Sequence, residues 1–235
     1  FNSQVNPNSD MRVVVDEELI VEPGVLFRDG SAIDSTFDPS AANVSASETL
    51  QDQDTSSLFG GNNNDGMNGL GLDDLPAAAI NEATDGNLFF EMAVPLEDSG
   101  TIGSTSAGVF QVRNETADSQ DVAIRFVTFG PDVGTAGDEV DESEVVETFK
   151  FIDSSGSQIS TDDTNTSPHT VDNVVTVSSG TTEQIHVAYD TNTYSSALKS
   201  AANISTSNPF NEQTDTVDLV DTIDIGIEDG TDVSP

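Results

Sequence analysis

The sequence predicts an all-β protein, an antiparallel β-sandwich with a long polar insertion and one or two short helices. Two observations carry this. Val outnumbers Leu 24 to 11, and β-branched side chains suit a pleated, half-buried surface. The apolar residues also fall into short runs bounded by Gly, Pro, Asn, Asp or Ser, mostly without helical spacers. A series of such runs at this spacing points to a sandwich.

The elements follow in order. Met11–Val15 (MRVVV) is the first strand, and Leu19–Val21 leads past Pro23-Gly24 to Val25–Phe27. Residues 31–86 are rich in Gly, Asn and Asp. A structureless loop this long is uncommon in a compact domain. It reads as an outward-facing insertion over one end of the sandwich, with a short helix near Leu75–Ala83. Asn87–Val94, Val109–Arg113, Val122–Phe129, Val145–Ile152, Val171–Val177, Gln184–Tyr189 and Val217–Ile227 supply the remaining strands. In the last of these Ile223, Ile225 and Ile227 alternate with Asp224, Gly226 and Glu228, giving one dry and one wet face. Val109–Arg113 with Val122–Phe129, and Val171–Val177 with Gln184–Tyr189, each flank a polar turn and read as hairpins. Thr193–Ile204 reads as a helical crossover. The chain divides into an N-terminal segment, residues 1–15, and a single sandwich domain, residues 16–235.

Charge sets the partners and the habitat. There are 43 Asp+Glu against 6 Lys+Arg, for a net charge of -37. Six scattered cations make no basic face, so nucleic acid is excluded as a partner, and docking on an anionic membrane is disfavoured. With no cysteine, there is neither a disulfide framework nor a thiolate zinc site. Leu, Ile, Val and Phe make up about a quarter of the chain, above the ~20% that marks disordered chains, so the acidic surface belongs to a folded protein. Its self-repulsion is screened over ~3 Å at 1 M salt. Near-absence of Lys with abundant Asp, Ser and Thr reads as the surface of a halophile, with an ordinary acidic protein as the alternative. Unfolding or swelling is expected below ~1 M salt. No apolar stretch reaches the ~18–20 residues of a membrane span. The start at Phe1 reads as an N-terminus exposed by removal of a secretory signal, which places the protein outside the cell.

Candidate chemistry is sparse. His169 and His186 stand in no HExxH pattern, and no GxSxG, P-loop or GxGxxG occurs. The reading is non-enzymatic, with no cofactor and no metal centre. Asn63-Asn64-Asp65-Gly66 fails as a calcium loop because Gly61 and Leu72 fill liganding positions. The acid runs Asp138–Glu144 and Asp162-Asp163 read as hydrated surface, with a structural cation such as Ca²⁺ as the alternative. N-glycosylation sequons stand at Asn43, Asn114, Asn165 and Asn203. Asn114, in an expected turn, is the foremost candidate acceptor. Arg12, Arg113, Arg125 and Lys150 fall within expected strands, where a surface built for negative charge has little use for them. At least two are expected to be partly buried and paired with carboxylates, setting strand register. Ordinary exposed strand cations are the alternative.

The start FNSQVNPNSDMRVVVDEELIVEP, the middle GVFQVRNETADSQDVAIRFV and the later VVTVSSGTTEQIHVAYDT carry a resemblance. They resemble small secreted haloarchaeal proteins related to the camelysin/TasA-type biofilm fibre proteins and the archaeal bundling pili. The shared pattern is a processed N-terminus beginning with Phe, then Phe110, Val112 and Asn114 as F-x-V-x-N, and Val175, Thr176, Val177 and Gly180 as V-T-V-x-x-G. It covers about half the chain, and residues 31–86 depart from it. No zinc-ligand set supports the protease activity attached to the camelysin name.

The resemblance implies a jelly-roll or immunoglobulin-like subunit that polymerises by donor-strand complementation. Phe1, Val5, Met11, Val13, Val14 and Val15 would form the donor, the late strands the acceptor groove, and the contact would be head-to-tail and open-ended. The expected function is therefore a structural subunit of an extracellular filament, a pilus or biofilm fibre, of a halophilic archaeon. Its partners would be further copies of itself, neighbouring filaments and cell-surface glycans in adhesion. Three alternatives stand beside it. Residues 1–15 could form the sandwich's own first strand. The chain could be a haloarchaeal virus capsid or spike protein. It could also be a monomeric cell-surface module binding cations or glycans.

Overall fold

The computed structural model describes residues 4–5, 11–15, 19–23, 27–28, 31–32, 76–82, 88–103, 107–130, 133–134, 140–160, 173–201, 219–220 and 222–227. Fourteen strands and two short helices are laid out in two sheets. The strands are β1 (Gln4–Val5), β2 (Met11–Val15), β3 (Leu19–Pro23), β4 (Phe27–Arg28), β5 (Ser31–Ala32), β6 (Ala77–Glu82), β7 (Leu88–Pro95), β8 (Ser99–Ile102), β9 (Phe110–Asn114), β10 (Gln120–Thr128), β11 (Phe149–Ile152), β12 (Val175–Val177), β13 (Thr182–Asp190) and β14 (Thr222–Ile227). The helices are α1 (Glu142–Thr148) and α2 (Ser195–Ala201).

One sheet runs β12-β10-β14-β2-β7-β6-β4-β5, with β1 also on β7; the other runs β11-β13-β9-β3, with β8 also on β13. The all-β, largely antiparallel expectation holds at that level. Alternation drives it. In β9 the residues Phe110, Val112 and Asn114 are buried while Gln111 and Arg113 are not. The sheets meet through an aromatic contact in which Phe126 of β10 lies 5.8 Å from Phe151 of β11, which lies 5.8 Å from Phe110. Beyond β11, Ile159 ties the two sheets directly. Its N–H donates to Phe151 O and its carbonyl accepts from Ile124 N, both at 2.9 Å.

Several sequence expectations are corrected. The segment near Leu75–Ala83 is not helical: Ala77–Glu82 is a strand paired with β7 over six residues, and Ala78 is fully buried. The helix preference of alanine is worth only tenths of a kcal/mol per residue, less than a complete ladder and a buried face. Val145–Ile152 is half helix and half strand. Asp141 caps α1 and its N–H donates to Glu144 Oε2 at 2.9 Å, so the acid run 138–144 contains a helix start. That reciprocal cap outweighs the β preference of Val145 and Val146, which are buried on the helix.

Neither expected hairpin exists. β9 pairs with β13 and β3, whereas β10 pairs with β12 and β14. The turns after β9 and β12 therefore cross from one sheet to the other. Alternation reveals which face of a strand is dry but not which neighbour it pairs with. The strand β8 had no clear apolar run to announce it. Within residues 31–86, Ser31–Ala32 and Ala77–Glu82 are strands of the larger sheet, and residues 33–75 lie outside the described residues. The expected helix in Thr193–Ile204 is present as α2.

Candidate functional site

The N-terminal strand occupies a seam. β2 runs parallel to β14, with Arg12 opposite Thr222, Val13 opposite Ile223, Val14 opposite Asp224 and Val15 opposite Ile225. Its other edge is antiparallel to β7, with Met11 opposite Phe90 and Arg12 opposite Phe89. β1 extends along β7, with Val5 opposite Val94. β2 thus joins β12-β10-β14 to β7-β6-β4-β5. It is the one parallel partner in its sheet among the described strands, and the sheet divides where it is removed. Residues 16–18 then carry the chain into β3 of the opposite sheet. In a single chain, therefore, β2 lies within its own sheet. Phe1 lies outside the described residues.

Two of the four strand cations are partly buried and paired, as expected. Arg125 stands opposite Asp224 in register, Nη2 to Oδ2 at 2.7 Å, with side chains 15% and 22% exposed. Arg113 reaches Glu22 at 3.2 Å, bonds Glu115, and adjoins Gln111, whose amide donates to Glu22 at 2.6 Å. Arg12 is placed by its backbone only. Lys150 makes no ion pair among the described residues. Lys199, which the sequence did not single out, pairs with Glu97 at 2.6 Å, and Glu97 sits at φ 58° in the turn after β7.

Asn114 is a structural residue, which corrects its reading as a glycan acceptor. It is fully buried. Its Nδ2 donates to Asp118 O at 2.8 Å and to Val177 O at 2.9 Å. Oδ1 accepts from Thr116 N and Thr116 Oγ1. Both amide hydrogens are used and no space remains, so a glycan on this nitrogen is incompatible with the fold. The N-x-T pattern that marks a sequon here marks a side chain folding back on its own turn. Asn43, Asn165 and Asn203 lie outside the described residues, as do Asp162-Asp163 and His169.

His186 is 4% exposed and neither ring nitrogen has a hydrogen-bond partner among the described residues. It faces away from Ile185 and Val187 on β13, opposite Ile152 of β11, and beside Gly103, where any Cβ would overlap the imidazole. Burial lowers its pKa, while the charges of Glu183 and Asp153 pull the other way. No group of three or more metal-ligating side chains occurs among the described residues.

At the end of β13 a polar cavity of about 340 Å³ is lined by Glu147, Lys150, Asp190, Thr193 and Tyr194. The Tyr194 hydroxyl donates to Glu147 Oε2, and this bond raises the tyrosine pKa. Asp190 Oδ1 accepts from Asn192 N at 3.0 Å and from its amide at 3.1 Å. The sequence places Glu147 and Lys150 in one expected strand, Asp190 just after another, and Thr193 and Tyr194 at the start of the expected crossover. Their convergence was not legible.

The fold and these features define a strongly acidic all-β protein with two mostly antiparallel sheets and two short helices. No helix among the described residues is long and apolar enough to cross a membrane. Comparison with protein-family models, curated proteins and solved structures finds no match.

Proposed function

We propose that this chain is the structural subunit of an extracellular filament, a pilus or biofilm fibre of a halophilic archaeon. It would be a jelly-roll-like sandwich that polymerises head-to-tail by donor-strand complementation. The observation that carries the reading is the seam: the first long strand fills a gap between β14 and β7, and the gap divides the sheet when it is empty. Within one chain β2 fills its own gap. Seating it in the gap of the next copy forms the same ladder, so exchange sacrifices no main-chain hydrogen bond. Brine screens the repulsion between subunits that each carry -37. The stretch between β5 and β6 would serve in bundling or adhesion.

A second reading is favoured by the same strand in its observed place: a monomeric cell-surface module in which residues 1–15 are simply the first strand. The absence of cysteine makes a clean test possible. Val13→Cys and Ile223→Cys place thiols at a register pair, where neighbouring Cα atoms lie within disulfide reach. Oxidation in several molar salt should give a covalent ladder of multimers, with one-dimensional fibres by electron microscopy. A crosslinked monomer alone would end the donor-strand reading, and closed shells would point to a capsid protein instead.

A further inference from the structure

We propose that the cavity formed by the end of α1, β11 and the β13–α2 connection binds an uncharged saccharide unit of an extracellular glycan. The saccharide site rests on the cavity and stands whether or not β2 is exchanged between copies; only the extracellular source of the glycan rests on the proposed function.

The volume, about 340 Å³, falls at the small end of ligand sites, ~300–1,000 Å³. The lining excludes an apolar ligand. It offers the Lys150 ammonium as a donor, the Thr193 hydroxyl as donor and acceptor, and the Glu147 and Asp190 carboxylates as acceptors. Sugar hydroxyls both donate and accept, so they can satisfy both kinds of group at once. Tyr194 adds an aromatic side chain to the lining, the residue type on which sugar rings pack.

Charge narrows the class. An anionic ligand would meet two carboxylates in the site and a net charge of -37 around it. A cationic ligand leaves Lys150 without a purpose. Arg113, Arg125 and Lys199 are held by carboxylates. Lys150, by contrast, faces two cavity carboxylates without an ion pair among the described residues. At the rim of the cavity Glu147 accepts from Tyr194 and Asp190 accepts from Asn192. Among the described residues Glu147 Oε1 and Asp190 Oδ2 accept no hydrogen bond, so each retains an oxygen for a ligand.

The test is ligand-observed NMR of the full chain in about 3 M salt. The probes are uncharged trisaccharides of glucose, mannose and galactose, with a glucuronate disaccharide as the charged arm. The expected result is saturation transfer to at least one neutral sugar. It should weaken about tenfold or more in Tyr194→Ala and in Lys150→Ala. Thr193→Ala, on an exposed turn, gives a variant with little risk to folding and should weaken binding severalfold. The proposal is overturned if no neutral sugar binds, if only the glucuronate sugar binds, or if binding survives all three substitutions unchanged.

Discussion

Asn114 Nδ2 donates to the carbonyl oxygen of Val177 at 2.9 Å, joining residues 63 apart in sequence. Asn114 ends β9 in the smaller sheet, and Val177 ends β12 in the larger one. The same amide also holds Asp118 O in the first crossing turn, and Gly180 N donates to Asn114 O in the second. One residue therefore anchors both turns that carry the chain between sheets at this end, by its side chain in the first and its main-chain carbonyl in the second.

Asn114→Ala takes the amide donor away from the buried end of β12 at Val177 O, whereas Asp118 is exposed and its carbonyl keeps the Thr116 hydroxyl as a donor. Each buried unsatisfied group costs about 1–3 kcal/mol. The variant should lose about 1–3 kcal/mol of stability, read as a lower denaturation midpoint in high salt. Mass spectrometry of the native protein should find this asparagine unmodified.

Arg125 and Asp224 face each other across β10 and β14. Removing either alone strands a half-buried charge and should destabilise by about 1–3 kcal/mol. Replacing both, as Arg125→Met with Asp224→Leu, should recover most of the loss. A double-substitution cycle measures the coupling, and strictly additive losses would show that the pair contributes nothing.

Burial outweighs the pull of Glu183 and Asp153 and holds the His186 pKa below its ordinary value. Its folded pKa lies below the unfolded value, so the unfolded chain takes up the proton first. Stability is full above about pH 6.5 and falls as pH drops from there toward the folded pKa. His186→Leu should flatten the urea midpoint between about pH 5.5 and 7.5. Gly103→Ala should destabilise at every pH, since its φ of +131° and the adjacent imidazole both exclude a side chain.

The two tyrosines are the only ones in the chain, and there is no tryptophan. Burial, with the charge of Asp98 beside it, pushes Tyr189 up to about 12, and the bond to Glu147 raises Tyr194. Absorbance near 295 nm should show less tyrosinate at pH 10 than two free tyrosines, each half ionised there, would give. Stability from Tyr189 is complete below about pH 10 and is lost as pH rises toward about 12. Glu147→Gln should return Tyr194 toward the ordinary value and leave Tyr189 where it is.

Strand content was legible because alternation is a local property. Val122–Phe129, Gln184–Tyr189 and the isoleucines of Thr222–Ile227 each show their dry face in a few residues, and β10, β13 and β14 stand there. The partial burial of Arg125 and Arg113 was legible for a related reason, since a cation kept on a carboxylate-rich surface needs a partner. Asn114 was misread because a buried Asx turn and a glycan acceptor share one sequence pattern. The cavity beside Tyr194 was invisible, since its five residues come from a helix, two strands and a turn.

Composition and period were enough to establish a folded, acidic, β-rich chain and to indicate where most of its strands run. Pairing was not within their reach. Which strand lies beside which, that two turns change sheets, and that Met11–Val15 sits parallel to Thr222–Ile227 depend on contacts between residues far apart in sequence. Such contacts are chosen by the mutual burial of many faces at once, and a pattern of period two is the same for every possible neighbour.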